Sequence, residues 1–103
     1  YRHHFKMYPV VDREELVGCV TTKAVKETPR DEWERQSVSS VTIPCSDENS
    51  IPPDADAMQA LSRMRRSGNS RLLVVADDTQ LVGVLALKDL LEFFSLKMEL
   101  EEE

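Results

Sequence analysis

Few side chains in this sequence are of the types that do chemistry, and their spacing limits what they can do. His3 and His4 are adjacent, so a helix or a strand aims their imidazoles in different directions and they do not converge on one metal. They read as surface residues near the start of the chain. Cys19 lies in the apolar run Leu16–Val20, where a small thiol behaves as a hydrophobe, and together with Cys45 it reads as a reduced packing residue. Arg63, Arg65, Arg66 and Arg71 form the one basic cluster, around the end of a helix and the start of a strand. Cations there complement the helix dipole, and in a sharper reading they meet a phosphate in a cleft. Trp33 and Phe5 are expected to pack. No His-Glu-x-x-His segment, glycine-rich phosphate loop or nucleophile with a paired base occurs, so the chain reads as non-catalytic.

The elements that hold these residues follow from composition and repetition. With 41% hydrophobic and 31% charged residues, 103 residues suffice for one folded core. The balance of 13 basic against 19 acidic residues gives a net charge of -6, which repels a nucleic-acid polymer. No apolar run approaches the ~20 residues that span a bilayer and no signal-peptide pattern is present, so a soluble, cytoplasmic segment is expected, with any membrane link made through a parent protein.

An internal repeat organises the rest. Tyr8-Pro9-Val10-Val11-Asp12, a polar turn and Leu16-Val17-Gly18-Cys19-Val20 recur as Leu72-Leu73-Val74-Val75-Ala76, a turn one residue longer, and Leu81-Val82-Gly83-Val84-Leu85. Each copy reads as a β-hairpin. A helical stretch follows each hairpin, Thr22 to Glu27 in the first copy and Leu87 to about Leu100 in the second. Upstream of the second hairpin a helix is predicted from Pro53-Asp54, with Asp54 as its N-cap, Ala57, Ala60, Leu61 and Met64 on one face, and Gly68 as its stop. Val41-Thr42-Ile43 reads as a strand ended by Pro44. Between the copies, Thr28 is predicted to cap a short helix with Pro29 at its first position, and Ser37 to Ser40 to form a linker. Residues 1–36 then form a first unit that lacks its initial strand and helix, and residues 37–103 a second, complete one.

Strand-helix-strand-strand-helix units in this order, with Pro-Val-Val-Asp or Leu-Val-Val followed by Leu-Val-Gly, resemble tandem CBS (cystathionine beta-synthase type) domains. The resemblance implies an α+β fold of β-α-β-β-α units, small sheets flanked by helices, and a regulatory module instead of an enzyme. Pro29-Arg30-Asp31-Glu32-Trp33 and the closing Leu96-Lys97-Met98-Glu99-Leu100-Glu101 are in addition similar to the CBS pair that ends some site-2-type intramembrane zinc proteases. The family holds AMP, ATP or another adenosyl ligand between two units, through a Gly-h-h-Thr/Ser-x-x-Asp motif whose hydroxyl faces phosphate and whose carboxylate takes the ribose hydroxyls. No cofactor is required for the fold.

Both copies depart from that motif. Gly18-Cys19-Val20-Thr21-Thr22-Lys23-Ala24 keeps the hydroxyl and loses the aspartate, whereas Gly83-Val84-Leu85-Ala86-Leu87-Lys88-Asp89 keeps the aspartate and loses the hydroxyl. By the resemblance the ligand residues are Asp89, Thr21 and Thr22, with Ile43, Leu72 and Leu73 as adenine walls. The plainer readings are a first-turn acid favoured by the helix dipole for Asp89 and capping hydroxyls for the threonines. In the closing helix, Leu87, Leu90, Leu91, Phe94 and Met98 make one apolar face and Phe93, Leu96 and Leu100 a nearly opposite one. The second face needs a cover, so a homodimer is expected.

Overall fold

The computed structural model describes residues 6–102; His3, His4 and Phe5 lie outside them. The elements in order are β1 (Met7–Asp12), β2 (Glu15–Thr21), α1 (Thr22–Glu27), a 3-10 turn over Arg30–Glu32, α2 (Val38–Val41), β3 (Ile43–Pro44), β4 (Ser50–Ile51), α3 (Ala57–Ser67), β5 (Arg71–Ala76), β6 (Gln80–Ala86) and α4 (Leu87–Glu101). This is the mixed α+β architecture that the repeat predicts.

The two hairpins repeat each other down to their irregularities. Each slips register once, between Val10 and Val11 and between Val74 and Val75. Each turn puts two consecutive non-glycine residues in the left-handed region, Arg13 and Glu14 in the first and Asp77 and Asp78 in the second. Thr79 is the extra residue of the second turn. The amide that opens the following helix is held alike, Thr22 N to Lys6 O at 3.0 Å and Leu87 N to Ser70 O at 2.7 Å.

Local side chains explain where helices begin and end. Thr21 accepts from Ala24 N and caps α1, while the Thr28 hydroxyl donates to Ala24 O and closes it. Thr28 is thereby committed to α1, and Pro29 offers no capping side chain, so the helix predicted after it shrinks to a 3-10 turn. The expected Ser37–Ser40 linker is instead the entry to α2, because Ser37 and Ser40 form a reciprocal capping box. That turn takes up Val41, and the strand predicted from Val41 starts only at Ile43. For α3 the cap is Asp56, not Asp54, because Asp56 and Gln59 bond each other's backbone amides at 2.8 and 2.9 Å. Gly68, at φ 79°, ends α3 as predicted by donating to Met64 O.

Two three-stranded sheets result, β1-β2-β3 and β4-β5-β6. β4 and β5 are parallel, joined by the α3 crossover, and every other pair is antiparallel. β3, which the sequence assigns to the second unit, pairs with β2 and so closes the first unit's sheet. Alternation along β5 divides the core. Leu72 packs with Ile51, Ala60, Met64 and Leu90 beneath the helices, and Leu73 with Met7, Leu16 and Cys19 between the sheets.

α4 meets this core through Leu87, Leu90 and Phe94. Leu91 and Met98, predicted on its core face, are 54% and 62% exposed: Leu91 borders the cavity at the start of α4, and Met98 lies beyond Phe94, the last α4 residue packed on this core. The result is long and thin, 58 × 36 × 17 Å, with a radius of gyration of 15.7 Å, against about 13 Å for a compact chain of this size. Among the described residues no helix is long and apolar enough to cross a membrane.

Candidate functional site

The first sheet, the loop that leads into β4 and the end of α3 line a cleft of about 250 Å³. Its frame is Asn49, the one buried polar residue among those described. The Asn49 amide donates to Pro44 O at 3.1 Å and toward Cys19 Sγ at 3.7 Å, while its Oδ1 accepts from Ser46 N and the Ser50 hydroxyl. Its backbone carbonyl accepts from Leu73 N at 2.8 Å. One residue, through its side chain and its carbonyl, thus ties β2, β3, β4 and β5 together, and its side-chain polar groups are satisfied, as burial requires. Asn69 Nδ2 donates to Glu48 O at 2.8 Å and fixes the loop over the end of α3.

Around that frame stand Thr21, Lys23, Ile43, Ser46, Glu48 and Asn69. Ile43 presents a partly exposed apolar surface of the kind a flat base covers. The Thr21 oxygen already accepts from Ala24 N, which leaves its O–H free to donate. Lys23 brings one cation and Glu48 one carboxylate. The chemistry on offer is binding: an apolar wall, hydroxyl and amide groups, and one charge of each sign. Among the described residues no three His, Cys, Asp or Glu side chains are grouped for a metal.

A second cavity, about 340 Å³, lies at the start of α4 and is lined by Ser70, Arg71, Ala86, Leu87, Lys88 and Leu91. It is the repeat image of the first, with Ala86 and Lys88 standing where Thr21 and Lys23 stand. Ala86 has no capping oxygen, and α4 begins without a side-chain cap.

Of the residues singled out in the sequence, Thr21 and Ile43 meet in the first cleft. Thr22 does not line it; its hydroxyl oxygen accepts from Lys6 N at 3.0 Å. Leu72 and Leu73 are both 0% exposed and face opposite sides of β5, so they do not wall one adenine; alternation puts each in a separate core. Asp89 is exposed on the first turn of α4, next to the second cavity and outside its lining. In the arginine cluster, Arg63 donates to Ser50 O at 2.6 Å, Arg65 and Arg66 are exposed, and Arg71 lines the second cavity. Sequence reasoning passed over Lys23, Ser46, Glu48 and Asn69. The repeat aligns Lys23 with Lys88 and so marks it, but only the pairing of β3 with β2 brings the other three near Thr21.

Burial pushes the Cys19 thiol above its ordinary range, and neighbouring Cys45 adds to the rise. Both cysteines are free. Folding then favours the protonated thiol. Its contribution to stability is complete below the unfolded thiol pKa and is lost as pH rises through the higher folded one. With iodoacetamide at neutral pH, Cys45 is expected to react first and Cys19 only when the sheets part; equal rates would contradict this placement.

Known proteins are similar to this chain in sequence and fold. An inosine-5'-monophosphate dehydrogenase of Methanocaldococcus jannaschii is 32% identical over 85 residues, 82% of this chain, and the match spans only 16% of the dehydrogenase. Among solved structures, a Vibrio cholerae protein assigned to acetoin utilization (AcuB) matches with a TM-score of 0.73 and 24% identity, over 95% of this chain and 74% of that one. The CBS domain of a bacterial CNNM/CorC family Mg2+ transporter matches at 0.64 and 25% identity, over 84% of this chain and 52% of that one. The same transporter domain in complex with ATP matches at 0.60 and 20% identity, over 89% and 63%. The family profile for the CBS domain matches residues 38–96, more than half of the sequence, and the chain belongs to the CBS domain family.

Proposed function

We propose that this chain is a non-catalytic regulatory module, a tandem pair of CBS units that takes an adenine nucleotide in the cleft where its first sheet meets the end of α3, and controls an attached domain. Domains of this family are regulatory modules that bind adenosyl ligands. The observation that carries the reading is the meeting of Thr21, Lys23 and Ile43 in one cleft at the joint between the repeats. Adenine lies on Ile43, phosphate reaches Lys23 and Thr21, and Glu48 and Asn69 are within the same cavity for the ribose hydroxyls. Because the ligand touches both halves, it changes their relative angle to the extent that it binds one angle better than another. The transporter domain that holds ATP supports the ligand class. The Pro29–Trp33 run and the closing helix support a membrane-embedded zinc protease as the attached domain, with the module on its cytoplasmic side.

Calorimetric titration with AMP and ATP tests the reading. Weak saturable binding is expected, because Ala24 stands where the family's ribose carboxylate belongs. Lys23→Ala should weaken AMP binding about 10-fold, the equivalent of ~1.4 kcal/mol, with less effect on adenosine, and Asp89→Ala should leave it unchanged. Loss in the Asp89 variant alone would move the ligand to the second cavity. No binding of any adenine compound would favour the second reading, a ligand-free structural dimerisation module, which the broken motif in each copy supports.

A further inference from the structure

We propose that Cys19 and Cys45 are a redox-reactive pair that a peroxide closes into a disulfide, fastening β2 to the loop after β3. Register places the two thiols together. Cys19 pairs with Ile43 across the antiparallel β2–β3 ladder, so Cys45, two residues on, is its diagonal neighbour. Side chains two residues apart on a strand share a face, and Cys45 packs against the same core cluster that holds Cys19. The Asn49 amide nitrogen marks the same proximity: it reaches Cys19 Sγ at 3.7 Å and, at 3.1 Å, the Pro44 carbonyl that is peptide-bonded to Cys45. Diagonal neighbours stand about 7–8 Å apart between Cα atoms, and a disulfide accepts up to ~6.8 Å. Cys45 lies past the end of β3, outside the ladder, where the chain can make that short approach.

The two sulfurs differ in access, which fixes the order in which they react. Cys45 is partly exposed and lines a cavity of about 330 Å³ with Ser46, Asp47, Arg63 and Asp78. Cys19 is 1% exposed, and burial holds its thiol protonated. A peroxide therefore meets Cys45 first. The Cys45 sulfur takes one peroxide oxygen as the O–O bond breaks, which leaves a sulfenic acid and releases water. The Cys19 sulfur then attacks the Cys45 sulfur, the S–O bond breaks, and the departing hydroxide carries off the Cys19 proton as a second water. Each thiol has then lost its hydrogen, and the peroxide has been reduced to water. The new bond takes Cys19 Sγ from Asn49 and locks in place a strand that otherwise has only two residues of pairing. None of this requires a nucleotide in the cleft.

The test is hydrogen peroxide treatment of the wild-type chain, Cys19→Ser and Cys45→Ser, with intact mass read before and after dithiothreitol and with dimedone as the sulfenic-acid trap. The wild type should lose about 2 Da, the two hydrogens of a disulfide, regain them with dithiothreitol, and do so at a rate independent of protein concentration. Cys19→Ser should stop at a sulfenic acid on Cys45 that dimedone captures. Cys45→Ser should leave Cys19 a thiol, consumed about 10-fold more slowly than Cys45 is in the wild type. The Asn49 amide can donate to a serine hydroxyl as it does toward the thiol, so Cys19→Ser should keep the wild-type circular dichroism spectrum; where it does not, Cys19→Ala takes its place. A wild type that keeps both thiols, or whose Cys45 collects as the dimedone adduct to the same extent as in Cys19→Ser, overturns the proposal. A disulfide formed mainly between molecules overturns it too, and assigns the reactivity to Cys45 alone.

Discussion

Alanine at Gly18 is expected to destabilise the protein by about 1–3 kcal/mol, the usual cost of overpacking a site that has no room, while alanine at the repeat-equivalent Gly83 changes stability by less than ~0.5 kcal/mol. A Cβ at Gly18 would collide with the Ile43 carbonyl oxygen and press on the Thr42 methyl, whereas at Gly83 it meets nothing. The difference arises because β3 pairs with β2, whereas among the described residues no strand pairs with the outer edge of β6. β3 has only two residues, so it has little pairing with which to resist displacement. Its loss would carry Ile43 out of the cleft and remove the apolar wall. Urea unfolding of both variants is the measurement, with nucleotide titration beside it. Equal shifts in the two midpoints would show that the β2–β3 contact is not tight.

Truncating either of the two fully buried leucines of β5 is expected to cost about 2–5 kcal/mol, the range for a large side chain removed from a packed interior, and a large part of a domain's typical ~5–15 kcal/mol. The two losses should differ in kind. Leu72→Ala empties the space among Ile51, Ala60, Met64 and Leu90, and so loosens α3 and α4 from their sheet. Leu73→Ala empties the space among Met7, Leu16 and Cys19, and so loosens one sheet from the other. Alkylation of Cys19 separates them: Leu73→Ala should speed it well beyond the Leu72→Ala rate at matched stability. The same rate in both variants would mean that the two cores open together.

Much of this architecture was legible in residue order. The hairpins, their unequal turns, α1, α4 and the Gly68 stop all depend on local signals that recur, and they appear where the sequence puts them. The misplaced features depend on competition or on distance. Asp54 and Asp56 are both plausible caps by type, and Gln59 three residues beyond Asp56 decides between them. Ile43 lines the cleft, and its strand pairs with β2 of the first sheet, a partner the sequence did not reveal because pairing between distant segments leaves no local mark. Leu72 and Leu73 were read as two walls of one pocket, although adjacent strand residues face opposite ways. Glu48 and Asn69 lie on loops with no periodicity at all, and only the assembled sheets bring them beside Thr21.

The joining of β3 to the first sheet has a consequence for the order of folding. β4, α3, β5, β6 and α4 are consecutive, so the second half holds all of its pairing partners within residues 50–101. The first sheet is alike: β1 and β2 close on each other locally, and their third strand arrives after α1, the 3-10 turn and α2, all within residues 7–44. The two closures are of nearly equal length, residues 22–42 between β2 and β3 and residues 52–70 between β4 and β5, so loop entropy favours neither half. Each half can therefore pair its strands within its own segment, with Asn49 fastening the two sheets together last. The cleft exists only after that final step, so anything bound there holds the late-forming joint shut.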